Sequence, residues 1–292
     1  MNIISFDIEE WYIEKRYYGG RNNQYQLYNT YLKQILQELE LRNIKATFFC
    51  LGKIATDFPH VIKEIVNYGH EIGCHSDKHI WLTQMSRTEL VKDCKDAINA
   101  LEDVSGQKVV SYRAPAFSIG ETNKWAIEVL AECGIEYDAS IFPAQRDFGG
   151  FNTFKHDVPT IISTNEISIK EFPVCTSNIL GKKFVFSGGG YFRFFPYAYI
   201  KQQMNKRIYT MCYFHIGDLI YHNTGFMSRT EYENYFSENG SLINRSKRYI
   251  KSNLGKKQAF SKLEHLLNDY KFTNIKTANS LINWAESPKI TL

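Results

Sequence analysis

Short apolar runs and amphipathic stretches alternate through the first half of the chain. Ile3 to Asp7 is an apolar run ending in an acid and predicts a strand. Leu27 to Arg42 repeats apolar residues at Leu32, Ile35, Leu36 and Leu39, a helical stripe. Ile44 to Cys50 then predicts a buried strand, Lys53 to Tyr68 a helix and Glu71 to Cys74 a strand. Thr88 to Leu101 predicts a helix, opened by Ser86 with Glu89 three residues later in a capping-box pattern. Val109 to Tyr112 predicts a strand, Asn123 to Cys133 a helix closed by Gly134, and Ile135 to Tyr137 another strand. Such repetition implies parallel strands joined by right-handed crossovers, in a doubly wound sheet or a barrel.

The polar positions choose between the two. Asp7, His75, Arg113 and Asp138 fall at or just beyond the C-terminal ends of successive strands, where α/β barrels assemble their sites, so the barrel is favoured. From about Thr153 to Tyr197 the pattern turns irregular and predicts a β-rich insertion or cap. Tyr213 to His215 resumes a strand, Lys256 to Tyr270 predicts a helix, and Phe272 to Ile275 and Ser280 to Trp284 finish the unit. A length of 292 residues suits one domain, with a motif-bearing core over 2–220 and a basic helical C-terminal extension over 221–292.

Hydrophobic content of 43% with 23% charged residues excludes wholesale disorder. The 15% aromatic share gives modest weight to a carbohydrate partner, because aromatic faces stack on sugar rings, although core filling explains it as well. A formal net charge of +4 selects no partner, and nucleic acid is not expected. The charge is uneven: Arg245, Lys247, Arg248, Lys251, Lys256, Lys257 and Lys262 crowd one stretch, readable as a solvated helix face or an anion-binding patch. The six cysteines never form C-x-x-C and sit in apolar segments, as reduced, buried thiols would. No export signal opens the chain and no run approaches the roughly 20 apolar residues that span a bilayer, so a cytoplasmic location is expected.

Two histidines four residues apart, His75 and His79 in G-H-E-I-G-C-H-S-D-K-H, and the acidic N-terminal F-D-I-E-E-W carry the candidate chemistry. Imidazole and carboxylate are the ligands a borderline divalent ion such as zinc accepts, and three protein ligands leave one position for water. An H-x-x-x-H spacing by itself also fits two ordinary histidines. Asp7 and Glu9 alternate along a strand, so their carboxylates can converge, one on metal and the other on a proton. Arg113, in S-Y-R-A-P-A-F-S, is placed to hold a carboxylate, and His215, in M-C-Y-F-H-I-G-D, is either a satisfied core histidine or a proton donor near neutral pH. Asp138 or Asp218 could orient its ring.

Taken in order, these motifs resemble the polysaccharide deacetylases of carbohydrate esterase family 4, the NodB-homology group, over about residues 2 to 220, and most closely a branch associated with exopolysaccharide and surface-polysaccharide loci. The resemblance implies a distorted (β/α)7 barrel. It makes Asp7 the catalytic base, Glu9, His75 and His79 the ligands of a divalent ion (zinc first, with cobalt, nickel or manganese as alternatives), and Ser76 a brace for the loop. Arg113 would orient Asp7, the Ala116 backbone N–H would contribute to an oxyanion hole, and an Asp138 to His215 hydrogen bond would set His215 as general acid. Ala116 stands where an aromatic residue is common, so a wall of the sugar pocket is expected from Phe117, Trp11 or Tyr191. The implied activity is metal-dependent removal of the N-acetyl group of an amino sugar in a polysaccharide or its precursor. Hydrolysis of a small cyclic amide or ureide and a catalytically silent carbohydrate-binding barrel are the alternatives; retention of H-x-x-x-H with Asp7 and Glu9 speaks against the first. Retention of Asp7, Arg113, Asp138 and His215 speaks against the second, since binding alone needs neither base nor acid.

Overall fold

Strand β1 (Asn2–Ile8) is apolar enough to be buried on both faces, and it takes the place such a strand must take, between two parallel neighbours. The computed structural model describes residues 1–18, 24–144, 150–164, 167–221, 225–236 and 238–292. With β2 (Thr47–Cys50), β3 (Glu71–Cys74), β4 (Ser111–Tyr112), β5 (Tyr137–Asp138), β6 (Thr160–Thr164), β7 (Ile167–Glu171), β8 (Thr176–Ile179), β9 (Lys182–Val185), β10 (Thr210–His215) and β11 (Lys289–Thr291), the main sheet runs β10-β1-β2-β3-β4-β5-β7-β6-β11, and β8 and β9 pair separately. The run from β10 to β7 is parallel throughout, and its seven strands are the staves of the expected (β/α)7 barrel. β6 is antiparallel to β7 and carries β11 outside it.

Between β7 and β10 the wall is closed by other contacts. Tyr209 Oη donates to the Pro173 carbonyl at 2.9 Å, and the Cys175 thiol reaches the Tyr209 carbonyl at 3.5 Å. Gly188 bridges Tyr213, where a Cβ would lie 2.3 Å from the Tyr213 ring, so only glycine lets the backbones meet. The stretch read as an insertion therefore contains β7, a full member of the barrel, together with the β8–β9 hairpin and the helix Gly189–Phe194.

The helices follow the apolar periodicity. Tyr25–Leu41 buries Tyr28, Leu32, Ile35, Leu36 and Leu39, and Arg87–Ser105 starts at the expected capping box and stops at Gly106, whose φ of 66° is left-handed. The helix predicted over Lys53 to Tyr68 is two, Gly52–Asp57 and Pro59–Asn67, because Pro59 has no N–H to continue the first and is well placed to open the second. Phe272 to Ile275 gives only one bridge, Thr273 to Ile3, before Asn274 caps the helix Ile275–Leu281. That helix plugs the barrel end opposite the strands' C-termini: its Lys276 N–H donates to buried Glu71, which also accepts from Thr47. Among the described residues, no helix is long and apolar enough to cross a membrane.

His70, next to this plugged end, packs against Phe48 at 5.0 Å and accepts the Ala46 N–H on Nδ1 at 3.2 Å. Burial, and then the charge of Lys45, lowers its pKa from 6.5 to about 4. The unfolded chain takes up this proton near pH 6.5 and the folded chain only near pH 4, so the imidazole subtracts stability as pH falls through that window, by up to about 3 kcal/mol. Urea unfolding of His70→Gln between neutral pH and about pH 4 is expected to show a shallower acid-side loss of stability than the parent chain.

Candidate active site

The C-terminal ends of β1, β3, β4 and β10 deliver the chemical groups to one mouth of the barrel. Glu9 lies one residue past β1, and its Oε2 is 2.7 Å from His79 Nε2 and 3.5 Å from His75 Nε2. One ligand atom from each of these three residues falls within 4.8 Å of the others. His75 Nδ1 is 2.7 Å from the Arg113 carbonyl oxygen. A carbonyl only accepts, so Nδ1 carries the proton and Nε2 turns a lone pair toward Glu9. His75 Nε2 and Glu9 Oε2 are both buried without a well-formed hydrogen bond, and the donor set of two imidazoles and a carboxylate fits a divalent ion such as zinc.

The loop carrying the two histidines is pinned from three sides. Gly52 and Lys53 N–H donate to the Ser76 and Asp77 carbonyls, and the Asp77 N–H donates to Asp93 in the helix Arg87–Ser105. The Ser76 hydroxyl accepts the His79 N–H at 2.9 Å and braces the loop as expected. Gly52 is required there, since a Cβ would meet Asp77 Oδ1 at 2.6 Å and the Ala97 Cα at 2.7 Å. Ser76 and His79 hold φ of 70° and 56°, left-handed for residues with a Cβ, at a cost of order 1 kcal/mol each.

Arg113 is wholly buried. Its Nη1 donates to Asp7 Oδ1 at 2.7 Å and to the Ser5 hydroxyl at 2.9 Å, Nε donates to the Ala139 carbonyl, and the guanidinium stacks on Phe49 at 4.3 Å. Asp7 is thereby fixed with Oδ2 3.8 Å from His215 Nε2, and Glu9 Oε1 lies 3.7 Å from the same nitrogen. The His215 side chain is 30% exposed, open to a ligand at the mouth.

The partner of His215 differs from the expected one. Asp218 Oδ2, three residues on, accepts from His215 Nδ1 at 2.9 Å and from the His215 backbone N–H at 3.3 Å. Arg193, from the helix Gly189–Phe194, pairs with Asp218 Oδ1 at 3.2 Å. Asp138 instead points into the wall at the β5–β7 register pair, accepting from Ser140 Oγ and facing Glu171. Burial, and then the Asp138 charge, raise Glu171 well above the usual carboxylate range, so it faces Asp138 as a neutral acid. The Asp138 to His215 bond is therefore corrected to Asp218: Asp138 is committed to the strand beside it, whereas a residue three along from His215 returns to it across the first turn of the helix Ile216–Leu219.

Burial opposes charge on both Glu9 and His215, and the surrounding charges win. His79 and His215 hold Glu9 well below the usual carboxylate range, and Glu9, Asp218 and Asp7 hold His215 well above the usual imidazole value. Glu10, part of the F-D-I-E-E-W motif but given no role there, is also drawn in: it accepts the Gly217 N–H at 2.6 Å, and burial followed by the Glu9 charge raises its pKa to about 7.

Ala116 and Phe117 form a left-handed turn after Arg113, with φ of 53° and 54°. Of the three aromatic candidates for a sugar wall, two are core residues. Trp11 is fully buried with its indole N–H on Asn29 Oδ1, and Phe117 is edge-on to Tyr213 and Phe142. Tyr191 alone keeps exposed surface.

A polysaccharide deacetylase family model matches residues 22–137, and a model described as a domain of unknown function (DUF3473) matches residues 139–280. Among curated relatives, a peptidoglycan-N-acetylglucosamine deacetylase of Bacillus cereus is 36% identical over 96 residues, 32% of this chain and 35% of the relative. The peptidoglycan-N-acetylmuramic acid deacetylase PdaC of Bacillus subtilis is 33% identical over 88 residues, 30% of this chain and 19% of the relative. The chain thus spans about a third or less of the length of these relatives. A crystal structure titled as a putative polysaccharide deacetylase from Mycobacterium smegmatis shares the fold with a TM-score of 0.64 at 18% identity, over 100% of this chain and 92% of that one. With the ordered motifs converging at the mouth of a seven-stave parallel barrel, residues 22–137 carry a polysaccharide deacetylase domain of the NodB-homology group, and the chain as a whole shares the fold of the Mycobacterium smegmatis structure.

Proposed function

We propose that this protein is a metal-dependent hydrolase that removes the N-acetyl group of an amino sugar in a polysaccharide or its precursor, releasing acetate. The observation that carries the reading is the paired arrangement of Glu9, His75 and His79, with the His75 Nε2 lone pair turned inward, beside an Asp7 and a His215 held 3.8 Å apart. The deacetylase relatives act, by their names, on N-acetylated amino sugars, and that substrate class is taken over here as part of the proposal.

Glu9, His75 and His79 would hold a divalent ion, which when bound would supply Lewis-acid polarisation of the acetamide carbonyl and lower the pKa of water toward about 7. Asp7, held through Oδ1 by Arg113, keeps Oδ2 to accept the proton of the attacking water. The Ala116 backbone is assigned to the carbonyl oxygen as it gains charge, by resemblance to the family. His215 donates its Nε2 proton to the departing amine, and Asp218, anchored by Arg193, orients the ring and offsets the imidazolium charge. Tyr191, half-buried, is the aromatic assigned to a sugar face.

Acetate release from N-acetylglucosamine oligomers is expected to stop after chelation and return on adding zinc or cobalt. His75→Ala is expected to lose at least about 100-fold at any metal concentration, more than loss of an outer partner costs. Metal-independent release, or ring opening of cyclic amides without any acetate release, would remove this reading. Asp218→Asn is expected to lower kcat by roughly 10- to 100-fold with KM little changed, because the carboxylate acts on the proton donor and not on the substrate. An unchanged kcat would return the orienting role to another group.

A further inference from the structure

The helix Leu242–Asn253 lies on the surface with no residue fully buried. Its outward stripe repeats at the spacing of one helical face, Ile243, Lys247, Ile250, Lys251 and then Leu254, all exposed, with exposed Leu242 beside it. Large aliphatic side chains 47% to 67% exposed, gathered on one stripe, are not ordinary scatter. Lys257 continues the exposed basic edge, and residues 239–263 contain no acid to neutralise it.

The inward face is spent on attachment. Arg245 donates to the Gly240 and Met227 carbonyls and lies over Phe226, and Arg248 stacks on Phe236 at 4.0 Å. The far end is tied to the catalytic side of the molecule, where Arg193 donates to the Ser252 carbonyl at 2.7 Å and the Lys251 carbonyl at 3.3 Å. The helix is thus held in place while its apolar and lysine side chains point away from the protein.

We propose that this outward face docks the protein on an anionic lipid bilayer. Isoleucine and leucine at helical spacing enter the boundary between headgroups and acyl chains, and lysine stems lie along that boundary with their ammonium groups among lipid phosphates. A second copy packed symmetrically would set lysine against lysine, and a nucleic acid offers no complement to the aliphatic stripe. Because Arg193 joins this helix to Asp218 and so to His215, a docked molecule holds its catalytic mouth at a set orientation to the membrane. The inference stands apart from the deacetylase assignment, since binding is read without turnover.

Full-length protein is sedimented with vesicles of phosphatidylcholine alone and with vesicles containing about one-third phosphatidylglycerol. Binding is expected on the anionic vesicles, at least about tenfold weaker on the neutral ones, and much reduced at roughly 0.5 M salt. Ile250→Ser/Leu254→Ser and, separately, Lys247→Glu/Lys251→Glu are expected to weaken it at least about tenfold, with unchanged helical circular dichroism and unchanged acetate release from soluble oligomers. Equal partition to both vesicle types, retention of binding in both variants, or vesicle-independent self-association that the same variants abolish would overturn the proposal.

Discussion

The Arg113–Asp7 ion pair, closed from solvent inside the barrel wall, is the interaction around which the rest of the molecule is arranged. A buried charge survives only when its partner and its remaining hydrogen bonds are in place, and removing one side of such a pair typically costs about 3–5 kcal/mol. The guanidinium reaches Ser5 and Asp7 on β1, the Ala139 carbonyl after β5 and the Met211 sulfur on β10, so three parts of the wall must be in register at once. The same residue's carbonyl sets the His75 tautomer. One arginine thus positions the Asp7 carboxylate with its side chain and the His75 imidazole with its backbone.

The two halves matched by different family models meet inside one site. Residues 22–137 bring His75, His79 and Arg113, whereas residues 139–280 bring His215, Asp218 and Arg193. Asp7 and Glu9 precede both matches, at and just past the end of the strand inserted between β2 and β10. The side carrying His75 and His79 and the side carrying His215 therefore belong to separate stretches of sequence and become adjacent because β1 lies between them and joins them.

Much of this was legible in the sequence, for local reasons. Glu9, His75, His79, Asp7, Arg113 and His215 sit in short motifs at strand ends, and a parallel barrel converts that position directly into proximity. Ser86 and Glu89 announce a helix start because both capping bonds are made within four residues. What escaped depends on distant packing. Asp138 and Asp218 are equally plausible partners on paper, and only the commitment of Asp138 to Ser140 and Glu171 decides between them. Trp11 and Phe117 look like sugar platforms until the core closes over them. β7 hides in an irregular stretch because it is preceded by an antiparallel partner, β6, where β2 to β5 are each preceded by a helix.

The central place of β1 has a consequence for biosynthesis. Its β2 edge is covered about 40 residues after it is made, but its other edge waits for β10, some 200 residues later. At about 5–20 residues per second, an apolar strand carrying Asp7 stands beside the ribosome with one edge unpaired for roughly 10–40 seconds. The molecule's demand on chaperones is thus set by strand order more than by final stability, and it falls in the interval before Thr210–His215 emerges.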